Sequence, residues 1–300
     1  MDNYVTYIVD YIAERNPRHA KKLKRFVSQQ DETFHARANG FYRQYDDLLQ
    51  RRSLTLAYGV DCYLRMCDDI VFETVQFWQT GRYSSISFED VRRRVYDNPD
   101  VMEYQIHGIL VSQFLWRHHY AVYDFFCENF PKHASQVNRF LEIGAGHGAY
   151  VKQALAHLPS GATVDAVDIS ATSIDLAKEF VDDTRVNYRL VDVFDFEPDA
   201  LYDFITMGEV LEHVEDPVAL LKRVRTLLKD NGVFFITTPA NAPNMDHIYL
   251  FNDTRHIVDV LRQGGFKVVQ QLESFAEDVA PEAAREQKIA MMYAAFLKKP

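Results

Sequence analysis

The sequence predicts an α/β protein, a parallel sheet covered by helices on both faces, with an all-α half in front of it. Three observations predict it. Helical periodicity runs through residues 1–134; after Ser135 it gives way to short apolar runs alternating with amphipathic stretches; and a glycine loop sits at the first strand-to-helix turn.

The N-terminal half is expected to be helical throughout, broken at Asn16-Pro17 and Asn39-Gly40. From Ser53 to Trp78, residues Val60, Tyr63, Leu64, Cys67, Val71, Val75 and Trp78 recur at spacings of three and four, and Gly81 ends the run. Ser87 and Asp90 form a capping-box pattern for a short helix that stops at Asp97-Asn98-Pro99. One long helix is then expected from about Asp100 to Asn129, closed by Pro131. This gives two domains, residues 1–134 as a helical substrate lid and residues 135–300 as the α/β domain.

In the second half RFLEI, TVDAVDI, VNYRLV, YDFITM and GVFFITT read as buried strands. Helical stretches over 149–157, 172–180 and 217–228 separate them, the alternation of a parallel sheet. Two last strands, 266–272 and 291–297, flank a polar helical segment.

Composition narrows the function. The chain has 300 residues and 47% hydrophobic content, enough for one or two cores. Three cysteines without a CxxC pair indicate neither a disulfide framework nor a zinc site. No run reaches the ~18 apolar residues of a membrane span, and the acidic N-terminus is unlike a signal peptide, so a cytoplasmic protein is expected. The formal net charge is -10, and residues 136–300 hold 16 Lys+Arg against 25 Asp+Glu. Such a domain repels phosphates, which disfavours a nucleic-acid substrate.

LEIGAGHGAY, residues 141–150, puts glycines at the carboxyl edge of the first strand, where backbone N–H groups can approach a ligand. Gly144, Gly146 and Ala149 also fit a dinucleotide fingerprint, so the carboxylates must discriminate. Glu142 would repel a pyrophosphate and attract a cofactor bearing an ammonium and a sulfonium. Asp168, at the end of TVDAVDIS, stands where a carboxylate accepts both ribose hydroxyls, and Asp192, after the third strand, where one accepts from an adenine amino group. LEIGAGHG, AVDIS, LVDVFDF and DFITMGEVLEHVEDP occur in one order and spacing, and together they resemble the class I S-adenosylmethionine (SAM)-dependent methyltransferases over residues 135–300. The resemblance implies a Rossmann-like seven-stranded sheet of order 3-2-1-4-5-7-6 with the last strand antiparallel. It implies that Glu142, Gly144, Ala145 and Gly146 hold the methionine moiety of SAM, Asp168 the ribose, Ile169, Asp192 and Val193 the adenine, and that Glu209 borders the methyl donor. His147 occupies a variable slot in that family and receives no role.

Residues for the chemistry come from two places. WRHHY, residues 116–120, offers His118 and His119, with His107 eleven residues before His118 on a similar helical face. GEVLEHVEDP, residues 208–217, places Glu209 at the sheet edge; if a helix starts there, Glu212 and His213 share its face. His213 is thus a further catalytic candidate. With His247 from the loop after the fifth strand, Glu209, Glu212 and His213 make a plausible divalent-metal set. That pattern resembles the magnesium sites of small-RNA 2′-O-methyltransferases and ubiquinone-biosynthesis O-methyltransferases. The same residues could equally cap turns and pack.

The expected function is SAM-dependent methyl transfer to an O, N or C atom of a small-molecule metabolite, in cofactor or natural-product biosynthesis. A homodimer is compatible with the sequence. Three alternatives stay open: a metal-dependent RNA 2′-O-methyltransferase, an NAD-dependent oxidoreductase, and an inactive SAM-fold partner subunit.

Overall fold

Side-chain caps start the N-terminal helices at the Asn, Asp and Thr residues that precede them. The computed structural model describes residues 3–300. Asn3, Asn16, Asp31 and Thr55 cap α1 (Tyr4–Arg15), α2 (Pro17–Ser28), α3 (Glu32–Arg51) and α4 (Leu56–Thr80). The break at Asn16-Pro17 is present, and Gly81 ends α4 in the left-handed conformation at φ 69°. The break expected at Asn39-Gly40 is not, because α3 runs straight through it. Asn39 Oδ1 instead accepts from the backbone N–H groups of Tyr4 and Val5, satisfying two orphan donors at the start of α1. A residue that reads locally as a breaker serves here as a cap supplied by another helix.

Ser87 precedes α5 (Phe88–Val91) but makes no side-chain cap bond, so the expected capping box does not form. A π-helical turn, Arg92–Tyr96, leads to α6 (Pro99–Ser112), followed by α7 (Arg117–Asn129) and α8 (Pro131–Ala134). The long helix expected from Asp100 to Asn129 is therefore two, interrupted at residues 113–116. His107 is buried in the helical core, between the Tyr45 hydroxyl at 2.7 Å and Glu103, and not with His118. Around it Phe34, Tyr42, Tyr45, Tyr63 and Phe114 are almost wholly buried, each such apolar side chain contributing roughly 1.5–3 kcal/mol. The apolar stripe of α4 outruns this core: Val60 and Tyr63 are buried, whereas Val71, Val75 and Trp78 are exposed.

The seven strands are β1 (Arg139–Ile143), β2 (Thr163–Asp168), β3 (Val186–Leu190), β4 (Tyr202–Gly208), β5 (Leu228–Ala240), β6 (Lys267–Phe275) and β7 (Met291–Lys298). Their order is β3-β2-β1-β4-β5-β7-β6; β7 alone runs antiparallel, to both β5 and β6. β3 departs from the expected burial, with only Val186 buried, since it forms one edge of the sheet. Helices α9 (Ala149–Leu155), α10 (Ala171–Val181), α11 (Pro217–Leu227), α12 (Thr254–Gln263) and α13 (Pro281–Glu286) complete the chain.

The helical half does not hang from a linker. Phe126 of α7 packs its ring 4.9 Å from Phe235 of β5, and Phe125 lies 5.4 Å from Phe296 of β7. Phe41 of α3 meets Phe180 of α10 at 5.2 Å, and Arg52 forms an ion pair with Glu179. These contacts fix the helices to a face of the sheet and to α10; ligands of such sheets bind at the carboxyl edge, where β1 lies between β2 and β4 and the direction of winding reverses. No described helix is long and apolar enough to cross a membrane.

Candidate functional site

At that edge the chain leaves β1 through a turn only glycine fits. Gly144 has φ 74°, and a Cβ there would lie 2.4 Å from Val210 Cγ2. Asp168, at the tip of β2, clasps the loop from the side: Oδ2 accepts from the Gly146 N–H at 3.1 Å and Oδ1 from the Ser170 N–H at 2.8 Å. Glu142, next to last in β1, is buried and takes one hydrogen bond from the Thr206 hydroxyl at 2.9 Å. Burial pushes its pKa up to about 8, against the pull of that bond. A ligand ammonium would reverse the shift.

A cavity of about 460 Å³ opens here, and all nine residues expected around the cofactor line it: Glu142, Gly144, Ala145, Gly146, Asp168, Ile169, Asp192, Val193 and Glu209. Asp192 holds its own turn by accepting from the Phe194 N–H. His147, given no role from sequence, lines the same cavity, and burial lowers its pKa to about 4. Its Nδ1 accepts from the Ala149 N–H, the first of α9. Only the loop's closure over the ring shows this.

A second cavity of about 540 Å³ lies under the helical half. Phe26, Met66, Ile70, Trp116 and Met291 give it apolar walls. At its rim Lys22, Arg25 and Arg117 are paired with Glu277 and Asp278 of the segment after β6. His118 and His119 also line it, through the interruption between α6 and α7. There the N–H groups of Leu115 and Trp116 both bond to Ser112 O, and Gln113 Nε2 donates to His119 O. The tightened turn lets two consecutive residues at a helix start face one space, which a continuous helix does not. His118 stacks on Trp116 with its Nδ1 buried and unpartnered. Burial lowers the pKa of His118 to about 4 and that of His119 well below the usual value.

The stretch after β4 is not the helix anticipated. Glu209 takes φ 54°, an uncommon conformation for a residue with a side chain, and its N–H bonds to Thr237 O. Its Oε1 accepts from the Thr237 hydroxyl, and burial pushes its pKa up to about 8. A short 3₁₀ turn, Leu211–His213, follows and carries Glu212 and His213. Glu212 Oε2 accepts from the Thr238 hydroxyl, while Oε1 is buried without a partner. Burial and the nearby Glu209 carboxylate push the Glu212 pKa well up. Its carbonyl accepts from the N–H groups of Ile248 and Tyr249, which delivers His247 from the loop after β5.

Glu212, His213 and His247 converge, with one ligand atom from each lying within 4.8 Å of the others. Glu209 is not among them: held by Thr237, it leaves the anticipated set of four with three members. His213 Nδ1 lies 2.9 Å from Asp246 O, and His247 Nδ1 2.6 Å from Ala242 O. A carbonyl oxygen only accepts, so both Nδ1 atoms carry protons, and Nε2 is the atom through which each ring, when neutral, can bind. Two oriented imidazoles and an orphaned carboxylate oxygen are a fitting donor set for a divalent ion. The sequence reading missed Tyr96, Asp246 and Tyr83 around this cluster. Tyr96 lies edge-on to His213, and Tyr83 edge-on to His247. Asp246, adjacent to His247, was the one with a signal in the sequence.

The two cavities adjoin. Ile109, His119, Glu209, His213, Asp246 and Met292 line both and form the ring of side chains they share.

Comparison with known proteins bears on the family and the fold. The family model of the methyltransferase domain matches residues 115–271. The ubiquinone biosynthesis O-methyltransferase of Coxiella burnetii (strain Dugway 5J108-111) is 33% identical over 127 residues, 41% of this chain and 53% of that protein. That of Xanthomonas campestris pv. campestris (strain B100) is 34% identical over 109 residues, 35% of this chain and 44% of that protein. The match thus spans about half the length of these curated relatives. Among solved structures, the N-methyltransferase NodS from Bradyrhizobium japonicum WM9 in complex with S-adenosylhomocysteine (SAH) superposes with TM-score 0.53 at 15% identity, covering 68% of this chain and 100% of that one. The mitomycin 7-O-methyltransferase MmcR gives TM-score 0.53 at 14% identity over 77% of this chain and 68% of its own. These two share the fold. With the family model spanning residues 115–271, the sheet order of β3-β2-β1-β4-β5-β7-β6 and the glycine loop clasped by Asp168, the chain belongs to the class I SAM-dependent methyltransferase family.

Proposed function

We propose that this chain transfers a methyl group from SAM to an oxygen of a small molecule carrying adjacent hydroxyls, enclosed between the sheet and the helical half as a lid. The observation that carries this reading is the ring shared by the two cavities: one is walled by the glycine loop, Glu142 and Asp168, the other by apolar residues and the Glu212, His213, His247 cluster. A space of about 540 Å³ suits a small molecule, and the acidic charge opposes an RNA substrate.

SAM supplies a methyl group on a sulfonium, whose departure as a neutral thioether needs no acid. Glu142 pairs with the ammonium of the methionine moiety, the N–H groups of the glycine loop hold its carboxylate, and Asp168 accepts from the ribose hydroxyls. Ile169, Asp192 and Val193 bound the adenine, and Glu209 faces the sulfonium. Glu212, His213 and His247 would hold a divalent ion, whose chemistry there is to bind and acidify the two hydroxyls. Two imidazoles favour zinc or another imidazole-binding first-row ion over magnesium, which takes oxygen ligands. The helices exclude water and fix the acceptor, and orientation of this kind is worth roughly 7–11 kcal/mol of a barrier.

Calorimetry with SAH and with NAD, alongside elemental analysis of the purified protein, tests this reading. Binding of SAH alone and one equivalent of a divalent metal support it. Binding of NAD alone overturns the methyl-donor assignment, and full turnover in chelator overturns the metal.

A further inference from the structure

The ring between the cavities holds four groups able to take a proton, His119, Glu209, His213 and Asp246, and the structure distinguishes them. His213 donates from Nδ1 to Asp246 O, and its Nε2 lies 3.5 Å from Glu212 Oε1, within the cluster. Asp246 takes the Tyr96 hydroxyl, and Glu209 takes the Thr237 hydroxyl. His119 is the one of the four that the helical half supplies, on the first turn of α7. Its Nδ1 is 2.8 Å from Ser112 Oγ, and Ser112 Oγ is 2.7 Å from Ile109 O. The serine has one proton and Ile109 O can only accept, so that proton points at Ile109 and His119 Nδ1 must donate to the serine. His119 Nε2 is thereby a bare lone pair, with no hydrogen-bond partner among the described residues.

We propose that His119 is the catalytic base of the transfer, its Nε2 taking the proton of the acceptor hydroxyl from the lid side of the ring, and that Ser112 is the positioning residue that fixes its tautomer. The proposal rests on the reading of the previous subsection. In the step, a lone pair of the acceptor oxygen forms the C–O bond as the C–S bond breaks and its pair stays on sulfur. The O–H pair stays on oxygen and the proton passes to Nε2. Positive charge leaves the sulfonium as it arrives on the imidazole, so the total charge in the closed site is unchanged. That offsets the burial that otherwise keeps His119 neutral. His118, next to it, has the unpartnered Nδ1 but lines the acceptor cavity only, away from the ring.

The test uses SAM and a series of 4-substituted catechols as probes, from 4-methylcatechol to the far more acidic 4-nitrocatechol. His119→Ala is expected to lower kcat on 4-methylcatechol by about 10²–10³-fold with KM within about threefold, since a general base is worth ~10²–10⁴-fold. On 4-nitrocatechol, already largely ionised at pH 8, the loss is expected to shrink below about tenfold. A loss equal across the series, or none, overturns the proposal. Independently of turnover, ¹⁵N–¹H NMR of the SAH-bound protein is expected to read His119 as the neutral Nδ1–H tautomer. Ser112→Ala loses that preference and Ser112→Thr keeps it. An Nε2–H tautomer in the unsubstituted protein overturns the proposal by itself. If the protein binds SAH but methylates no catechol, the substrate reading fails and the NMR result alone decides the role of His119.

Discussion

The two cavities that meet at Glu209 are built by opposite means. The donor cavity is made of strand ends: Glu142 stands next to last in β1, Asp168 closes β2, and each carboxylate hydrogen-bonds to its sheet neighbour or to the turn beside it. The acceptor cavity is made of interruptions: the break between α6 and α7, the left-handed Glu209, the 3₁₀ turn of Glu212 and the loop that delivers His247. A regular sheet edge provides one geometry for every ligand of a kind, whereas irregular backbone aims a few side chains at one point. That difference separates an end fixed by the strands from an end fixed by the turns between them.

Perturbing each end should leave the other largely intact. The largest effect is expected from Asp168→Ala, which removes the two contacts proposed for the ribose and strands the Gly146 and Ser170 N–H groups. Charge-assisted bonds at roughly 1.5–3 kcal/mol each predict SAH binding weaker by about 10²–10⁴-fold, read by calorimetry. Next is Glu212→Ala with His213→Ala, expected to reduce bound metal to background by elemental analysis and turnover by about 10²-fold or more. SAH affinity in that variant should stay within about threefold. A metal content unchanged by it would break the separation of the two ends.

A smaller effect concerns pH. Glu142 is protonated below about 8 and must ionise to pair with an ammonium, so SAH binding should release a proton and tighten as pH rises. From pH 6.5 to 8 the gain is roughly tenfold, with a plateau above, measured in buffers of different ionisation enthalpy. Glu142→Gln should bind weakly and without this slope. The smallest effect is expected at the rim: Asp278→Asn removes the partner of Arg25 and Arg117, pairs that are largely exposed. Thermal stability should change by no more than ~1 kcal/mol, while KM for the acceptor shifts with salt.

Legibility in the sequence followed the same division. Glu142, Gly144, Asp168 and Asp192 could be placed because each is fixed by its distance from a strand end, and strands announce themselves as apolar runs. Asn39 and the interruption at residues 113–116 could not. The first is decided by the N-terminus of α1, which sits elsewhere in the chain; the second by a turn whose bonds converge on Ser112 O. Glu209 and Glu212, three residues apart, looked like partners on one helical face. Thr237 and Thr238, consecutive on β5, each take one of them and so part them.

The sequence by itself determined the strands, the glycine loop and the carboxylates at the strand ends, because these depend on local periodicity and on spacing along the chain, while the order of the strands followed from the resemblance of its motifs to a known family. Only the tertiary structure decided which nitrogen of His119, His213 and His247 donates, which carboxylate oxygen is orphaned, and that two cavities share one ring. Those properties belong to hydrogen-bond partners brought from up to 33 residues away in the case of His213, and no local pattern encodes them.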